Sequence, residues 1–179
     1  MLLRNLLLFL LIISGGALCQ ELTTPTFQSG SVVLLQPESE FNERLASDVE
    51  GLAAYIKALS STFEEEVGCH SHGEPTSGVL VVAVRPKGRS RVWLEFGNNP
   101  KPEQLLGVLH DKLLAVEPPL VWNGPISFLV EFELWGGGSP LTSHEGPVFL
   151  PIEWREVIAR LDRPTDTETI LDAIWPDEG

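Results

Sequence analysis

Apolar side chains at Phe41, Leu45, Val49, Leu52, Ile56, Leu59 and Phe63 recur at steps of three and four, the period of one helix face. The spacing predicts a single helix of about six turns, opened by Pro37 and Ser39 and stopped at Gly68. Glu64, Glu65 and Glu66 fall where the helix dipole disfavours anions, which reads as a solvated or frayed end. Gly78 to Val84 is a continuous β-branched apolar run and reads as a strand covered on both faces. Pro86, Lys87 and Gly88 then turn the chain, and Val92, Leu94 and Phe96 alternate with Arg91, Trp93 and Glu95, completing a hairpin. Leu105, Leu106, Leu109, Leu113 and Val116 predict a second helix, closed by Pro118 and Pro119.

After Asn123-Gly124-Pro125, a strand is predicted with Ile126, Phe128, Val130, Phe132 and Leu134 on one side. Ser127, Leu129, Glu131, Glu133 and Trp135 point the other way. Trp93, Leu129 and Trp135 lie on the polar sides of their strands, so either helices cover those sides or an apolar patch is left for a partner. Gly136 to Pro147 reads as a loop and Val148 to Leu150 as a short strand. Pro151 opens a helix with Ile152, Trp154, Val157, Ile158 and Leu161, and Thr165 with Glu168 has capping-box spacing for a last helix. The sum is an α+β domain, residues 38–179, with an antiparallel sheet of three to four strands and helices packed mainly on one face. Residues 20–37 read as a flexible arm with a short strand at Val32 to Leu35.

Ahead of the arm, Arg4, the apolar run Leu6 to Ile13, and Ser14-Gly15-Gly16-Ala17-Leu18-Cys19 have the layout of a cleaved secretory signal peptide over residues 1–19. The run is too short to span a bilayer, which takes about 20 residues, and no later segment is predicted to span. Lipidation at Cys19 fits less well, because bulky Leu18 precedes the cysteine. The expected location is periplasmic or extracellular. Loss of the leader leaves 11 basic against 25 acidic side chains, a net charge of −14, and Cys69 as the one cysteine. The fold then rests on its core without an internal disulfide, and no glycosylation sequon occurs. The acidic balance argues against nucleic acid and anionic membranes as partners.

The densest group of ligand types is Cys69, His70, His72 and Glu74. On an extended segment His70, His72 and Glu74 share one side, and thiolate with imidazole suits Zn(II) or Cu. A structural zinc site draws on two separated pairs, and His144 with Glu145 is the one pair that could complete it. The bland alternative is a polar connector with a semi-buried cysteine. Cys69 beside His70 and His110 beside Asp111 carry the letters of catalytic pairs, but neighbours in sequence do not face each other. The Gly136 to Pro140 stretch lacks the Lys-Ser/Thr of a phosphate loop. No catalytic or cofactor-binding residue is assigned.

From Gly78 to Gly136 the order is strand, turn at Gly88, strand, helix ending in two prolines, then Asn123-Gly124-Pro125 and a Phe-rich strand. This order resembles the C-terminal periplasmic domain of TonB-like proteins over about a third of the chain. That family's Ser-Ser-Gly stretch and Leu-Asp helix entry are absent here, so energy transduction does not carry over. What the resemblance implies is a small domain that binds another protein through an exposed strand edge, without catalytic residues. The expected function is therefore an exported, acidic, non-catalytic binding or assembly domain. The alternative is a metal- or thiol-dependent role for the segment from Cys69 to Glu74.

Overall fold

The computed structural model describes residues 26–46, 49–69, 73–97, 103–137, 150–161 and 166–176. Its elements run β1 (Phe27–Leu34), α1 (Glu38–Arg44), α2 (Val49–Gly68), β2 (Thr76–Arg85), β3 (Arg89–Phe96), α3 (Glu103–Leu114), β4 (Ile126–Leu134), α4 (Ile152–Leu161) and α5 (Thr167–Ile174). All neighbouring strands are antiparallel, in the order β1-β4-β2-β3, so the α+β class and the four-stranded sheet agree with the sequence pattern. Among the described residues no helix is long and apolar enough to cross a membrane.

Period-two alternation divides the side chains of this sheet between two cores. Leu80, Val82, Val84, Val92, Phe128, Val130 and Phe132 face α1, α2 and α3, where Phe41, Tyr55, Leu59, Phe63, Leu105, Leu109 and Leu113 meet them. Most helices do pack on that face, but α4 and α5 occupy the other. There Trp154, Val157, Ile170 and Leu171 cover Val79, Val81, Ala83, Trp93 and Leu129. This explains the continuous apolar run of β2, whose ten residues are all buried, and the placing of Trp93 and Leu129 on the nominally polar sides of β3 and β4; Trp135, just past the end of β4 with φ 52°, breaks the alternation and joins the larger core instead.

Four local readings differ from the expectation. The long helix is broken: Leu45 turns extended, and Ala46 N–H donates to Leu120 O at 2.9 Å while Trp122 N–H donates to Arg44 O at 2.9 Å. The backbone groups that would continue the helix are committed to a bridge with the segment around Val121. Part of the span read as a flexible arm is instead strand β1, paired with β4 from Phe27 to Leu34. The acidic end of α2 is not frayed, since the helix runs to Gly68 and buried Glu66 accepts an ion-pair hydrogen bond from Lys112 of α3. The cap of α5 is Asp166, which accepts from Thr169 N–H at 2.8 Å; Glu168 instead pairs with Arg44 at 2.7 Å. The Thr169 N–H holds the Asp166 carboxyl below its usual range. The strand read at Val148 to Leu150 falls mostly outside the described residues, and Leu150 itself is not in a strand.

The sheet supplies what α5 lacks. Its last turn has no basic residue, and the carbonyls there carry the negative end of the dipole. Arg85 donates to Trp175 O at 2.9 Å and to Asp172 at 2.7 Å, and Arg91 donates to Ile174 O at 3.0 Å. The Arg85 guanidinium also lies 5.2 Å from the Trp175 ring centroid, so the hairpin end and the last helix are locked together.

Burial pushes the Tyr55 phenol up to about 12 from 10.0, and the nearby Ser90 side chain offsets part of that rise without a well-formed hydrogen bond. The fold thus favours the neutral form. Stability from this source is complete below pH 10 and lost as pH climbs toward 12, by about 2–3 kcal/mol in all. The Lys112 ammonium, raised mainly by its hydrogen bond to Glu66, loses its contribution in the same direction above about pH 10.5. Denaturant titrations from pH 9 to 12 should show this fall in the wild type. Tyr55→Phe should remove most of it; an unchanged slope would dissociate Tyr55 from the alkaline transition.

Candidate functional site

Among the described residues β3 pairs only with β2, so its second side is an edge there. The Gly97 N–H donates to Ser77 O at 2.8 Å, which continues the β2–β3 register in which Glu95 faces Val79, Trp93 faces Val81 and Arg91 faces Ala83. Hydrogen-bonded and non-bonded pairs alternate along an antiparallel ladder. Arg91, Trp93 and Glu95 therefore bond to β2, while Val92 and Leu94 turn their N–H and C=O outward.

An open groove of about 290 Å³ follows this edge. Its floor is the consecutive run Arg91-Val92-Trp93-Leu94-Glu95; Leu106 and His110 of α3 form one wall and Glu153 of α4 the other. The α3 wall stands on Leu105, Leu109 and Leu113, which are fully buried beneath it and turn Leu106 and His110 toward β3. The α4 wall is fastened by polar contacts. Glu153 Oε2 accepts from Trp93 Nε1 at 2.6 Å and its two oxygens accept from Arg91 at 3.2 Å. Glu95 Oε1 accepts from the first N–H of α4, that of Ile152, at 3.3 Å. The Arg91 guanidinium rests 5.1 Å from the Trp93 ring centroid. The groove is thus lined by apolar surface, by the edge backbone of half-buried Leu94 and by the carboxylates of Glu95 and Glu153, of which Glu153 pairs with Arg91. That is an arrangement for holding an extended chain.

The residues singled out from the sequence lie elsewhere or outside the described set. Cys69 follows α2 as an exposed free thiol, and Glu74 is exposed. His70, His72, His144 and Glu145 fall outside the described residues. Among the described residues no three His, Cys, Asp or Glu side chains are grouped to hold a metal. His110 Nδ1 lies 3.5 Å from exposed Asp111, and the ring belongs to the groove wall. Glu131 and Glu133 are exposed on β4. Gly136 and Gly137 form a turn with φ of 96° and 79°.

Sequence reasoning missed Arg91, Glu95, Leu106 and Glu153 as parts of one site. The signal available was the polar–apolar alternation of β3, but alternation identifies a strand's faces and says nothing about its neighbours. Which strand ends a sheet is set by long-range pairing. No family model, no curated protein and no solved structure matches the chain.

Proposed function

We propose that the chain is an exported, non-catalytic acidic domain that binds another protein by adding an extended segment of it to the edge of β3. The observation that carries this reading is the groove itself: five successive strand residues form its floor, and half-buried Leu94, whose backbone groups turn away from β2, is the reachable part of the edge, Val92 being only 2% exposed. An added strand pairs with those groups, and side-chain contacts with the two helical walls fix its register. Export is read from the leader-like layout of residues 1–19. Half-buried Leu94 leaves part of this edge reachable among the described residues, which supports an interaction role because proteins otherwise blunt or cover edge strands.

Leu94→Pro tests it. Proline at this position removes an edge donor and leaves the ladder to β2 intact. The variant should keep its cooperative thermal transition and lose at least tenfold in affinity for strand-forming peptides, about 1.4 kcal/mol. Undiminished peptide binding by a folded Leu94→Pro protein would place the interaction elsewhere.

A further inference from the structure

Resting on that reading, we propose that the segment received by β3 alternates apolar and cationic side chains, with its cations on the α4 side of the strand. Successive side chains of an added strand project to opposite faces of the sheet. Those on the α3 side meet Leu106 beside Val92 and Leu94, an apolar surface. Those on the other side meet Glu95 and Glu153, of which Glu153 pairs with the Arg91 guanidinium. Arg91 already donates to Ile174 O and to Glu153. Glu95 makes no ion pair among the described residues and accepts a hydrogen bond from the Ile152 N–H. The Glu95 carboxylate, held by a backbone N–H and by no cationic side chain among the described residues, therefore lies beside Trp93 of the groove floor and next to Ile152, which is 58% exposed.

A lysine or arginine suits this surface, since its stem covers apolar area while its head reaches a carboxylate. Glu131, which pairs with the same β2 residue as Glu95, extends the negative field across that face. The formal charge of −13 draws basic segments from a distance. An acidic segment would meet repulsion at both scales.

The test uses the purified protein and capped seven-residue peptides alternating Val with Lys, Val with Ser and Val with Glu, followed by fluorescence anisotropy. A fourth peptide is the Val-Lys sequence with N-methyl groups on alternate residues. The Val-Lys peptide should bind at least tenfold more tightly than Val-Ser, with Val-Glu weakest and the N-methylated peptide at least tenfold weaker than its parent. Glu95→Gln and Glu153→Gln should each lower the Val-Lys affinity severalfold and leave Val-Ser unchanged, with thermal unfolding as the check on folding. Equal affinities for the three unmethylated peptides would overturn the cation assignment and leave strand addition standing. Absence of binding by all three would overturn strand addition itself. Full binding by the N-methylated peptide would do the same, reducing the effect to charge attraction.

Discussion

Trp154→Ala is expected to cost about 3–5 kcal/mol of unfolding free energy, with its effect concentrated in one layer of the molecule. Trp154 is 1% exposed and meets Trp93 edge-on, with ring centroids 5.4 Å apart and planes at 90°. With Trp93 it is one of the two largest side chains of the smaller core, and the other members that α4 and α5 contribute to its buried set are Val157, Ile170 and Leu171. The larger core, on the opposite face of the sheet, shares no side chain with it. Loss of the indole should therefore let α4 and α5 open at a free energy below that of global unfolding. Amide exchange should accelerate across residues 152–174 before it does in β4 or α2. Since Glu153 forms one wall of the groove, binding of strand-forming peptides should weaken in parallel. Trp154→Phe keeps an aromatic contact and removes a buried indole N–H that has no acceptor among the described residues, so it should cost far less. Equal acceleration of exchange in every element would refute a separable layer.

The parts of the fold legible in the sequence are those whose pattern is set by burial within one element. The β4 alternation, the β2–β3 hairpin, and the helices at Leu105 to Leu113 and Ile152 to Leu161 all follow from a periodic apolar face. The break between α1 and α2 was invisible because Leu45, Val49 and Leu52 keep helical spacing across it. What ends α1 is a pairing with residues around Val121, more than seventy positions away. Strand β1 was legible only at its apolar end. Gln28, Ser29, Gly30 and Ser31 are exposed, and nothing in that stretch alternates; its conformation is imposed by pairing with β4. The candidate site was hidden for a related reason. Arg91, Glu95 and Glu153 read as ordinary surface charges until the strand order makes β3 an edge and the second core places α4 beside it. The Cys69 to Glu74 cluster stood out because its ligand types are neighbours in sequence, a property that carries no information about convergence in space.

Gly78→Val should be strongly damaging, costing about 3 kcal/mol through overpacking. Gly78 stands in β2 between Phe96 of β3 and Phe132 of β4, and the Phe132 ring occupies the space a side chain would take. A Cβ there would lie 2.6 Å from Phe132 Cε2 and 2.6 Å from the Glu95 carbonyl oxygen. Rotation of the ring out of the way is opposed by its neighbours: Phe63 holds it at 4.6 Å and Phe96 at 5.3 Å, and Phe63 in turn stacks on Phe27 at 4.9 Å. The carbonyl belongs to the β2–β3 ladder, so relieving that contact means parting the two strands. Gly78→Ala should cost less, about 2 kcal/mol, because its single methyl still meets both obstacles. A double variant, Gly78→Ala with Phe132→Leu, separates the two contributions: if the ring is the main obstacle, the alanine penalty falls once Phe132→Leu is already present. If the penalty is unchanged there, the backbone oxygen dominates. The strain then lies at Glu95, and peptide affinity at the β3 edge should drop together with stability.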